Sequence, residues 1–111
     1  MLPASARLRR SSDIGQVMRH GRRLSSRLLV LHVLDGTDQP SRFAFAVGKN
    51  VGNSVIRHRV TRKLREIVRT NGPSLPAGSL VVVRALPGCA QASFAVLTES
   101  FTYAASRVGQ P

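Results

Sequence analysis

Residues 48–70, GKNVGNSVIRHRVTRKLREIVRT, decide how the rest of the chain is organised. They hold seven of the seventeen basic residues of the protein and one acid, Glu66. Asn53 is a typical helix N-cap, and the Asn-Gly-Pro at 71–73 is a stop signal. The sequence therefore predicts a helix over about residues 54–70.

This predicted helix has two different faces. At about 100° per residue, its apolar residues form one stripe that must pack against a core. The stripe consists of Ile56, Val60, Leu64, Ile67 and Val68, with Arg57 falling on its edge. A solvated charged face is the simplest interpretation of the opposite side. The scarcity of acids and the preference for arginine, whose planar fork grips phosphate in two places, favour polyanion binding instead.

Composition and charge also favour a polyanion as the partner. A chain of 111 residues suits a single domain, 1–111, with one modest core. A net charge of +12 predicts a nucleic acid or an anionic membrane surface as the partner. Seven arginines lie in residues 7–27 and seven basic residues in 49–69, so we expect two basic segments to converge. The single cysteine, Cys89, excludes an intramolecular disulfide.

The remaining segments predict the supporting elements. Helices are expected over about 12–20 and 92–107, and strands over 28–34, 42–47 and 79–85. This order predicts an α/β (α+β) two-layer sandwich with a sheet covered by helices. No apolar segment reaches the roughly 18 residues needed to span a bilayer, which favours a cytoplasmic protein. The aliphatic stripe of the basic helix lacks Trp and Phe and lies in the middle of the chain, which disfavours a membrane surface as the partner.

Two features at the N-terminal side and in the first long strand leave alternatives open. Residues 1–10 lack periodicity and carry Arg7, Arg9 and Arg10, which predicts a flexible basic arm or an ordinary frayed terminus. His32 is expected to share a strand face with Leu28, Val30 and Leu34. A lone histidine on such a face is usually a structural residue.

Catalysis by the protein itself is not indicated. The five acids are scattered, so no pair of carboxylates is evident for acid–base chemistry or metal-ion hydrolysis. The three histidines show no ligand spacing. We therefore predict neither a catalytic residue nor a metal site in this chain.

Residues 51–69, VGNSVIRHRVTRKLREIVR, resemble the signature helix of the protein subunit of bacterial ribonuclease P. The positions that agree with the family pattern are Gly52, Asn53, Val55, Arg57, Arg59, Arg62 and Arg65. The chain departs from it at His58, where the family usually has asparagine, and at Thr61, where it usually has lysine. Residues 6–23 resemble the basic N-terminal segment and first helix of the family, and residues 42–53 its strand leading into the signature.

The resemblance implies a fold and a function. The fold is a mixed sheet of about four strands with three helices, a left-handed βαβ crossover and a short strand near residues 22–24. The function is to bind the catalytic RNA and the 5′ leader of precursor tRNA. The protein thereby promotes Mg²⁺-dependent endonucleolytic removal of the leader. The resemblance places the chemistry and most of the Mg²⁺ in the RNA subunit, and no protein partner is required.

The resemblance also assigns residues to these roles. The RNA-binding set, together with the neighbouring basic residues, is Lys49, Arg57, His58, Arg59, Arg62, Lys63, Arg65 and Arg69. Ile14, Met18 and His32 stand where the family usually places aromatic residues that line the leader cleft. Ile14 and Met18 lack an aromatic ring, whereas the resemblance gives His32, as the alternative to a structural role, a ring that stacks on a base. On composition alone, a ribosomal or general RNA-binding module without a nuclease role fits equally well.

Overall fold

The computed structural model of the protein describes residues 2–108, and its elements follow the predicted order. They are α1 Ser11–His20, β1 Arg22–Ser25, β2 Leu29–Leu34, β3 Arg42–Ala46, α2 Ser54–Asn71, β4 Leu80–Ala85 and α3 Phe94–Ser106. The last helix begins later than the predicted 92, because the Ser93 side chain caps it by accepting from the Val96 N–H at 3.2 Å.

The four strands form one mixed sheet in the order β1-β2-β4-β3. β2 pairs antiparallel with both β1 and β4, whereas β3 and β4 are parallel and are connected through α2. β1 confirms the short fourth strand that the resemblance implied near residues 22–24. The mixed sheet and the three helices confirm the predicted α+β fold, and the left-handed sense of the crossover stays a prediction.

Helices cover the two faces of the sheet unequally. α2 and α3 pack on one face and form the main core, in which Leu64, Ile67, Leu97 and Phe101 are fully buried. α1 packs on the other face, where Val17 meets a smaller cluster made by Leu8, Leu80 and Val82. Burying the apolar stripe of α2 forces its basic residues outward. The fold thus determines which surface of α2 a partner can reach.

Period-two alternation assigns the residues of β2 to the two faces. Leu29, Leu31 and Val33 belong to the main core, so His32 points to the α1 face. The prediction that Leu28 shares the face of His32 is wrong, because Leu28 precedes the strand and packs in the main core. Its N–H donates to the Ser100 hydroxyl at 3.1 Å.

The N-terminal segment lies along the free edge of β3. Leu2 is buried in the main core and Leu8 in the cluster under α1, so the chain crosses from one face of the sheet to the other. At the crossing Arg7 bridges to Phe43 in parallel fashion, and the Leu8 N–H donates to the Phe43 carbonyl at 2.8 Å. The prediction of a flexible basic arm took no account of these contacts, and the mobility of residues 1–10 stays a prediction.

Candidate nucleic-acid interface

Local sequence positions α2 as a rigid support for its basic residues. The Asn53 side chain accepts from the Ile56 N–H at 3.0 Å, which confirms the predicted N-cap. The 18 residues of the helix span about 27 Å, enough to follow several phosphates of an RNA backbone. The opposite side of the helix is held in the core by its buried residues, Val60, Leu64, Ile67 and Val68.

The basic face of α2 borders a shallow hollow on the surface. We name this feature the α2 hollow; it is lined by Val55, His58, Arg59, Arg62, Lys63, Arg65 and Glu66 of α2 and by Phe94 of α3. Five of the eight predicted RNA-binding residues therefore come together. His58, Arg59 and Arg62 are exposed, whereas Lys63 and Arg65 are half-buried. Closely spaced cations repel one another, so an anion that joins them is favoured.

The other three predicted RNA-binding residues lie outside the α2 hollow. Lys49 is exposed in the turn before α2. Arg69 is exposed, and its Nε donates to Glu66 at 3.2 Å in an ion pair. Arg57 is half-buried, and its Nε is enclosed without a hydrogen-bond partner within residues 2–108. The roles of all eight residues in binding RNA stay predictions.

A second cluster of basic groups lies on the α1 face of the sheet. Arg23 of β1 pairs directly with His32 of β2, which in turn pairs with Val82 of β4. Arg84, two residues beyond Val82, lies on the same face. We name His32, Arg23 and Arg84 the sheet-face cluster. Sequence reasoning missed the two arginines, although alternation within β1 and β4 carried the signal.

The sheet-face cluster has unused hydrogen-bonding groups. His32 is 7% exposed, and its Nε2 has no hydrogen-bond partner in the described part of the chain. The buried Nε of Arg84 is likewise without one there. Burial lowers the pKa of His32 below its usual value of 6.5, and the charges of Arg84 and Arg23 lower it further. The imidazole is therefore neutral near pH 7 and can accept or donate a hydrogen bond.

The two apolar residues predicted to line the leader cleft belong to α1, the helix that covers this same face. Ile14 is half-buried against the Leu8 and Val17 cluster, whereas Met18 is 45% exposed. Both are aliphatic, so they offer apolar contact without an aromatic plane. Of the basic arm, Arg7 is half-buried at the β3 edge, and Arg9 and Arg10 are exposed just before α1.

The neutral, buried His32 predicts a pH-dependent stability. In the unfolded chain its pKa returns to about 6.5, so the unfolded state takes up a proton first as the pH falls. The contribution of the neutral His32 to the free energy of unfolding is complete above pH 6.5. It is lost as the pH falls from there through the lowered pKa of His32 in the folded state. We expect urea denaturation between pH 8 and 5 to show a smaller acid loss of stability for His32→Gln than for the parent. His20 and His58 are present in both proteins, so identical pH profiles would contradict the prediction.

A small α+β domain with an arginine-rich helix face turned outward has the features of a nucleic-acid-binding protein. The family model for ribonuclease P matches residues 2–109. The ribonuclease P protein component of Acidothermus cellulolyticus is 46% identical over 112 residues, covering 99% of this chain and 93% of the relative. That of Rhodococcus opacus is 47% identical over 100 residues, covering 84% of this chain and 80% of the relative.

Solved structures agree on the fold. The ribonuclease P protein of Staphylococcus aureus superposes with a TM-score of 0.82 at 18% identity, covering 94% of this chain and 95% of that one. The protein from Thermotoga maritima gives a TM-score of 0.80 at 24% identity, covering 91% of this chain and 96% of that one. The chain belongs to the ribonuclease P protein family.

Family membership confirms the main functional prediction. The protein is of the kind that serves as the accessory protein subunit of an endoribonuclease, ribonuclease P, and it works with the ribonuclease P RNA. Nothing in the comparisons supports the alternative of a ribosomal or general RNA-binding module. Among residues 2–108, no helix is both long and apolar enough to cross a bilayer.

Proposed function

We propose that the protein assists ribonuclease P through two surfaces. The basic face of α2 binds the catalytic RNA, and the sheet face beside α1 holds the 5′ leader of precursor tRNA. One observation carries the proposal. The α2 hollow is lined by five residues of the predicted RNA-binding set, His58, Arg59, Arg62, Lys63 and Arg65. The other side of the same helix is buried in the core, which fixes the helix in place. The proposal also covers activity in the cytoplasm, without a further protein partner.

The α2 surface suits a folded RNA because its charges are held at fixed spacing. Arginine binds phosphate through parallel N–H donors, and a rigid helix presents several such groups with little loss of conformational freedom. Lys49 and Arg69 extend the basic surface beyond the two ends of the α2 hollow. These features support contacts to the sugar-phosphate backbone rather than to base edges.

The α1 face suits a single strand. Ile14 and Met18 offer apolar contact to a base, while the sheet-face cluster offers buried donors that lack partners in the described chain. An unpaired leader exposes both its bases and its phosphates, so it can use both kinds of contact. Arg9 and Arg10, just before α1, supply further charge at the start of this helix.

Within residues 2–108, no group of three or more histidines, cysteines or carboxylates is placed to hold a metal ion. We assign the Mg²⁺ ions of the reaction to the RNA partner, which holds the reaction centre in this proposal. The protein contributes charge neutralisation and substrate positioning.

The proposal is tested by reconstitution. Catalytic ribonuclease P RNA is incubated with precursor tRNA at low Mg²⁺, with and without the protein. We expect the protein to raise the rate of leader removal. Affinity of the reconstituted enzyme is then compared for precursor tRNA with its leader and for mature tRNA. A rate that the protein leaves unchanged would overturn the subunit role, and equal affinities would overturn the leader site.

Binding to the catalytic RNA is expected to weaken steeply with salt, because each neutralised phosphate releases counterions. If Arg59, Arg62, Lys63 and Arg65 of the α2 hollow each engage one phosphate, affinity falls on the order of 100-fold between 50 and 200 mM monovalent salt. Filter binding at fixed Mg²⁺ measures the slope. A flat response across this range would contradict a phosphate-based interface.

A further inference from the structure

Phe94, the first residue of α3, is unusual among the aromatic residues of the chain. Its side chain is 49% exposed, and it is not among the side chains packed against the main core, whereas Phe101 on the same helix is fully buried. The exposed Tyr103 has the Arg107 guanidinium over its ring at 6.0 Å. Phe94 has no such partner in the part of the chain that the structure describes. About half of the surface of Phe94 is therefore open to a ligand.

The surroundings of Phe94 indicate what the ligand is. The ring lines the α2 hollow together with the exposed Val55, and five basic side chains of α2 line the same hollow. Glu66 is the one acid in the lining, and its carboxylate already accepts from Arg69. A ligand that fits must therefore be anionic and must also carry a flat apolar surface. A nucleotide has both.

We propose that the α2 hollow binds one unpaired nucleotide of the catalytic RNA, whose base stacks on Phe94 while its phosphates contact Arg59 and Arg62. A base within an A-form helix is stacked on both sides and cannot offer its face to a side chain. The nucleotide must therefore lie in a loop, a bulge or a single strand. The inference deepens the proposed function, since it rests on α2 being the RNA-binding face.

The absence of tryptophan from the chain provides a direct probe. The Phe94→Trp variant carries a single tryptophan, whose fluorescence is quenched when a base stacks on the indole. We expect quenching by an eight-nucleotide single-stranded oligoadenylate and by the catalytic RNA, and none by a duplex RNA of eight base pairs or by polyglutamate. Equal quenching by the duplex would overturn the stacking of an unpaired base. Quenching by polyglutamate but not by RNA would assign the hollow to an acidic protein.

Affinity for the catalytic RNA supplies the second measurement. Stacking of one base on an aromatic ring is worth about 1–3 kcal/mol, so Phe94→Leu, which stays apolar but loses the plane, should bind roughly 5- to 150-fold more weakly. Tyr103→Leu is the matched control, since it removes an exposed aromatic residue of α3 outside the hollow. Thermal melts of both variants should match the parent because both positions are exposed.

Two outcomes separate this inference from the proposed function. If Phe94→Leu binds RNA like the parent while Arg62→Ala binds more weakly, the stacking site is wrong and the RNA-binding face stands. If neither substitution changes affinity, the assignment of α2 to RNA fails as well. The salt slope gives an independent check, because Phe94→Leu should leave it unchanged and Arg62→Ala should reduce it by about one phosphate.

Discussion

Replacing both Arg59 and Arg62 by alanine is expected to lower affinity for the catalytic RNA by at least about 100-fold at low salt. Both side chains are exposed in the α2 hollow, and hydrogen bonds between charged groups are worth about 1.5–3 kcal/mol each. The slope of log affinity against log salt concentration should also become shallower, by the amount expected for about two phosphate contacts. Leader removal at low Mg²⁺ should fall in parallel, since the subunit no longer docks.

Three controls make this result specific. The double substitution Arg59→Lys and Arg62→Lys keeps the charge but loses the planar fork, so its affinity should lie between those of the parent and the alanine variant. Arg27→Ala removes one charge from an exposed residue outside α2 and should have a much smaller effect. Thermal melts should show that the alanine variant is as stable as the parent. A folded alanine variant that binds with parental affinity would contradict the assignment of this face to RNA.

Leu64→Ala is expected to lower the stability of the protein strongly. Leu64 is 0% exposed and lies in the middle of the stripe that packs into the main core. Truncating such a leucine leaves a cavity and costs about 2–5 kcal/mol, a large part of the 5–15 kcal/mol typical of a whole domain. Urea denaturation followed by circular dichroism measures the change.

Val55→Ala is the matched control for this second prediction. Val55 is also aliphatic and in α2, but it is 65% exposed on the opposite face. Its truncation should change the free energy of unfolding by less than about 0.5 kcal/mol. If Val55→Ala unfolded the protein and Leu64→Ala did not, the buried and exposed faces of the helix would be reversed.

The departures of this chain from the family pattern have different structural settings. The Thr61 hydroxyl donates to the Arg57 carbonyl at 2.8 Å within α2, so it is engaged with its own helix where the family usually offers a lysine charge. His58 is exposed and lines the α2 hollow, where it can reach a ligand. Of the two, His58 is therefore the position at which this protein can differ from its relatives in how it contacts RNA.

Local signals in the sequence determined α2 and its two faces. The Asn53 cap, the spacing of the apolar stripe and the row of basic residues all act within a few residues of one another, so none of them depends on the rest of the chain. The same holds for the order of the strands and helices along the chain. The resemblance to the family, carried by residues 51–69 together with residues 6–23 and 42–53, then implied the arrangement of the sheet and the function.

Only the tertiary structure decided which distant residues share a site. Arg23, His32 and Arg84 meet because strand register brings three separate strands together, and register depends on the packing of the whole sheet. Phe94 joins the α2 hollow because α3 packs beside α2 on the same sheet face. Such contacts depend on long-range packing and not on local periodicity, and so the sequence by itself left them undetermined.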